Sequence, residues 1–135
     1  MNKPKWPQEP KRVLLEAANA RLQDAKALLK VKRYGGAVYL GGYVIECLLK
    51  VAVCDYLGSN QLPGQYAMHN LELLLLTAGL QGELKASTKL LSSFNLILNW
   101  SVNLRYKGTF INAEAARKFI QAVTEVREWL LSKRK

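Results

Sequence analysis

Residues Tyr34–Leu57 read YGGAVYLGGYVIECLLKVAVCDYL, and this stretch decides the fold. It is apolar nearly all the way round, its only charges being Glu46, Lys50 and Asp55. As a helix it would span roughly 36 Å, about the width of a small domain. A helix that is apolar on every side is a buried one, so the pattern predicts a bundle assembled around a central helix. The same length suits a membrane span over Ala37 to Leu57. That reading would set Glu46 and Lys50 near the bilayer centre at a heavy desolvation cost, and the flanking segments are amphipathic. A soluble core helix, with no membrane, is the expectation.

Working outward, Lys11 to Lys32 repeats Leu14, Ala18, Leu22, Ala25 and Leu29 at helical spacing, with charged and polar residues on another face. Residues 1–10 contain Pro4, Pro7 and Pro10 and read as a flexible or extended arm, and 11–135 as a single helical domain. After Gly58, SNQLPGQYAM is a turn-rich loop. A short helix follows over about Asn70 to Ala78, with Leu71, Leu74 and Leu75 inward and Gly79 and Gly82 closing it. Another begins near Lys85 with Leu90, Leu91, Phe94, Ile97 and Leu98 buried. In WSVNLRYKG the apolar residues alternate, which predicts a partly extended corner before Gly108. Asn112 is an N-cap for a last helix that turns Phe119, Val123, Val126 and Leu130 inward. Within the long helices, Ala37 and Gly41 are small enough to let a neighbour approach closely.

The chain of 135 residues, half of them hydrophobic, suffices for one core without disulfides or metals. Cys47 and Cys54 are seven apart on one helix, about 10 Å along its axis, too far to bridge. Two free thiols suit a reducing cytoplasm. One histidine and two cysteines do not make a zinc site, and no cofactor is expected. The net charge is +10 and unevenly spread. Residues 1–33 hold nine basic and three acidic groups, Tyr34 to Ile111 five and four, and the remainder six and three. Basic charge at both ends of the chain either solvates helix faces or forms one surface that attracts phosphate.

Glu46 and Lys50 are spaced i, i+4 in the order that favours an ion pair, among apolar neighbours, with Tyr39 and Tyr43 on the same face. A carboxylate in that setting needs a cation or several donors. Arg105 is the candidate cation. The bland reading is an ion pair that fixes how two helices meet; the functional one is a polar pocket in which Glu46 orients Arg105 toward a phosphate. His69, at the start of the short helix, is expected to make a local hydrogen bond rather than to catalyse. No glycine-rich loop follows a strand and no serine-nucleophile motif is present, which excludes Rossmann and P-loop nucleotide folds.

The second helix with YLGGYVIECLLKVAV, the third opening with His69, Asn70 and Leu71, and the NLRY segment together resemble the HEPN domain from about Lys11 to Leu131. Tyr43, Glu46, Lys50, Arg105 and Tyr106 carry the resemblance. It implies an all-α, up-and-down four-helix bundle with a short extra helix, paired as a homodimer. It implies work beside a minimal nucleotidyltransferase in toxin–antitoxin or antiviral systems, and binding of RNA or a nucleotide through Tyr43, Glu46, Lys50, Arg105 and Lys107. Many relatives are metal-independent ribonucleases whose arginine is followed a few residues later by a histidine. Here YKGTFIN follows Arg105 with no histidine, so the ribonuclease motif is degenerate. Cleavage needs a base as well as a phosphate-stabilising cation, and His69 or Tyr106 would have to supply it. A structural module that docks a second protein without nucleic acid is the third reading.

Overall fold

The computed structural model describes the backbone of residues 9–107 and 111–134 and the side chains of 9–99 and 111–134. Four long helices, α1 (Lys11–Lys30), α2 (Tyr34–Leu57), α5 (Thr88–Lys107) and α6 (Ala113–Ser132), alternate in direction. Two short ones, α3 (Leu71–Thr77) and α4 (Gln81–Lys85), bridge α2 to α5. The all-α bundle expected from the periodicity is what forms, with α4 an addition: Gly82 lies inside it and only Gly79, at φ 72°, closes α3.

Helix α2 is the centre. Ala37, Val38, Val44, Ile45, Leu49, Val51, Val53 and Cys54 are all buried, and α1, α3, α5 and α6 pack around it. Most of the stretch apolar enough for a membrane, 72% of its window, is covered by the other helices. Gly41 lets α6 come close: a Cβ there would lie 3.0 Å from Ile120 Cδ1 and 3.1 Å from Phe119 Cε1. At the far end Asp55 receives Arg134 Nε at 3.0 Å, so α6 runs parallel to α2 along its length. Lys11 Nζ reaches the other oxygen of Asp55 at 2.9 Å, which ties the start of α1 to the same point.

The inward residues of α1, α3 and α6 are those their spacing marks, with Leu29 half-buried. Asn112 caps α6 by accepting from Ala115 N at 2.8 Å, and Glu114 sits in its first turn. The loop after α2 is more ordered than a plain connector. Gln61–Leu62 (β2) pairs antiparallel with Glu9–Pro10 (β1), and Gly64–Tyr66 makes a 3₁₀ turn. The corner expected over Trp100 to Lys107 does not form, because α5 continues to Lys107. The alternation covers only the eight residues Trp100 to Lys107, and extending a helix already begun adds a hydrogen bond per residue with no new nucleus. No proline or glycine interrupts it before Gly108.

Candidate functional site: a carboxylate–imidazole pair beside a cleft

Tyr39, Tyr43, Glu46 and Lys50 fall at i, i+4, i+7 and i+11, one face of α2. Toward the helix start this face reaches the surface, and Tyr39 is 40% exposed. The Tyr39 and Tyr43 rings meet edge to face at 5.2 Å, with their hydroxyls 3.1 Å apart. Further along it goes under cover. Glu46 is 7% and Lys50 5% exposed.

Lys50 Nζ donates to Glu46 Oε2 at 3.4 Å, the pair that the spacing predicts. The other oxygen, Oε1, lies 2.9 Å from Nδ1 of His69, which is 23 residues further along the chain. His69 therefore does not make the local bond expected of it. Its partner is the buried carboxylate of the central helix. Glu46 thus accepts from Lys50 Nζ through one oxygen and meets Nδ1 of His69 through the other, which leaves Nε2 of the ring turned away from the carboxylate. The turn that presents the imidazole is held by Asn70, whose side chain caps α3 by accepting from Leu73 N at 3.0 Å.

His69 stays largely exposed and stands beside a cleft of about 700 Å³ between the start of α3 and the middle of α5. Asn70, Glu72, Asn95 and Asn99 supply its remaining polar groups. The two α5 asparagines were not among the residues singled out from the sequence. Their i, i+4 spacing beside a buried face was the available sign. What occupies this cleft would meet amide donors and acceptors, the Glu72 carboxylate and the second imidazole nitrogen of His69.

Arg105, Tyr106 and Lys107 belong to the last part of α5, beyond Asn95 and Asn99 on the same helix. Their side chains lie outside the described residues, and so does the expected meeting of Glu46 with Arg105. Among the described residues no three His, Cys, Asp or Glu side chains cluster as metal ligands would. Cys47, beside Glu46 in the chain, has its thiol pushed up to about 11, by burial first and by the Glu46 charge second. Burial also raises Cys54. Both are free and neutral near pH 7, which makes them poor nucleophiles.

No curated protein and no solved structure matches the chain. A family model does, over residues 12–134, which span α1 through α6 and include Tyr43, Glu46, Lys50 and His69. The chain belongs to the HEPN domain family.

Proposed function

We propose that this protein is an HEPN module that binds RNA or a nucleotide in the cleft beside His69, in the cytoplasm, as a homodimer working with a partner such as a minimal nucleotidyltransferase in a toxin–antitoxin or antiviral system. The observation that carries the binding site is the 2.9 Å contact between His69 and the buried Glu46. A solvent-facing imidazole held by a buried, lysine-paired carboxylate is fixed in orientation, and such fixing serves a ligand more than it serves the core. Asn70, Asn95 and Asn99 add the hydrogen-bonding edges that a base or ribose requires. In this reading Arg105 and Lys107 contribute phosphate contacts, with Tyr43, Glu46 and Lys50 as the supporting shell.

Fluorescence anisotropy with a labelled RNA oligomer and with ATP tests the site. Binding at low salt that weakens about tenfold or more in His69→Ala supports it. An affinity indifferent to His69 and Asn99 removes the cleft from consideration, and no binding of either probe overturns the module's assignment to nucleic acid or nucleotide.

The same contact favours a second reading, a metal-independent ribonuclease. Nε2 of His69 would take the proton of a 2′-hydroxyl, whose oxygen attacks the adjacent phosphorus. The 5′-oxygen leaves and takes a proton from water, giving a 2′,3′-cyclic phosphate, while Arg105 stabilises the charge on phosphorus. RNA left intact by the purified protein in chelator, under conditions in which it binds, excludes this reading alone.

A further inference from the structure

The turn between α1 and α2 carries a concentration of exposed cations. Lys26, Lys30, Lys32 and Arg33 are all exposed, and none forms an ion pair among the described residues. On the preceding turns of α1, by contrast, Arg12 pairs with Glu16 and Arg21 with Asp24. No acidic residue occurs from Ala25 to Ile45, so nothing in the neighbouring sequence neutralises the group.

Two of the four stand where local structure disfavours them. Lys32 has φ 64°, in the left-handed region that glycine or asparagine takes at a helix end. Arg33 precedes α2 as its N-cap, without a capping bond, and faces the positive end of the longest helix in the molecule. The C-terminus of α1 accounts for Lys30, in its last turn. It does not account for a lysine in a glycine position or an arginine in an asparagine position. Arg117, also exposed, stands on the first half of α6, which lies along the first half of α2 through the Gly41 contact.

This patch and the His69 cleft are far apart. Arg33 and Glu46 are separated by thirteen residues of α2, about 20 Å along its axis. One mononucleotide does not touch both. The partly exposed Tyr39 lies on α2 between them, an aromatic surface of the kind on which unstacked bases rest.

We infer that the α1–α2 turn, through Lys30, Lys32 and Arg33, is a contact surface for the phosphate backbone of an RNA strand whose other part occupies the His69 cleft, so that the ligand is a polymer and not a free nucleotide. The inference rests on the cleft reading for the second half of the strand.

The test compares a labelled twelve-nucleotide RNA with ATP, each titrated over a range of KCl. A variant carrying Lys30→Gln, Lys32→Asn and Arg33→Gln removes three charges, and asparagine at 32 keeps the left-handed turn comfortable. A control carrying Lys85→Gln, Lys89→Gln and Lys133→Gln removes three at the opposite end. Three lost phosphate contacts reduce the slope of log K against log salt by about 2 for a single strand. The expected result is that reduction for RNA in the turn variant, little change in the control, and unaltered ATP binding in both. An unchanged slope in the turn variant, an equal loss in the control, or RNA that binds no tighter than ATP overturns the inference while the cleft reading stands. Turn-dependent binding to phosphatidylserine vesicles without an effect on RNA overturns it in favour of a membrane surface. If neither probe binds the unaltered protein, the cleft reading and this inference fall together.

Discussion

At the scale of single residues, Glu46 holds two groups at once, and its replacements should separate structure from binding. Glu46→Ala leaves Lys50 buried with no carboxylate, and removing one member of a buried pair costs about 3–5 kcal/mol, measurable by urea unfolding. His69→Ala takes a hydrogen-bond partner from the buried Glu46 carboxylate and should cost about 1–3 kcal/mol, so loss of RNA or ATP binding reports on the site when urea unfolding shows the variant still folded under the assay conditions. Cys47 gives a pH signature. Its thiol holds its proton to about 11 in the folded protein against 9.0 ordinarily, so the folded state binds the extra proton between those values. The stability that this contributes is complete below pH 9 and is lost as pH rises toward 11. Melting temperature should therefore fall more steeply over that range in the parent protein than in Cys47→Ala. At pH 8 the thiolate fraction is roughly a hundredfold below that of an ordinary thiol, and iodoacetamide should label Cys47 correspondingly slowly until the protein unfolds.

At the scale of elements, the glycines of α2 divide into two kinds. Nothing lies within 4 Å of a Cβ at Gly35, so Gly35→Ala should stabilise the helix by up to about 1 kcal/mol. A Cβ at Gly41 would lie 3.0 Å from Ile120 and 3.1 Å from Phe119, inside ordinary van der Waals contact, and Gly41→Val should destabilise by about 1–3 kcal/mol through overpacking between α2 and α6. Differential scanning calorimetry of the two variants should show shifts of opposite sign. The cap and core face of α6 and the buried faces of α1 and α3 were legible in the sequence because each rests on a periodicity or a side-chain bond to a near neighbour. The last two turns of α5 were misread as a corner, since a short alternating run has no period of its own. The short helix α4 was missed because Gly82 resembles a stop when its neighbours in space are unknown.

At the scale of the molecule, Asp55 gathers both ends of the described chain, Lys11 at 2.9 Å and Arg134 at 3.0 Å. Asp55→Asn should lower stability by about 1 kcal/mol, and more at low salt than at high, because all three groups are partly exposed. The basic excess toward the chain ends was visible from composition, but its division was not. Among the described residues part of it is paired at Asp55, Glu16, Asp24, Glu114 and Glu83, while Lys26, Lys30, Lys32 and Arg33 stand unpaired around the turn between α1 and α2. By itself the sequence determined the all-α class, the central place of Tyr34–Leu57 and the Glu46–Lys50 pair, since these depend on burial patterns and spacings within one helix. Only the tertiary structure decided that His69 is the partner of Glu46 and that Asn95 and Asn99 join it beside one cleft. A contact across 23 residues leaves no period in the chain, and it arises because packing α3 against α2 carries the turn before α3 over a carboxylate that the core has already buried.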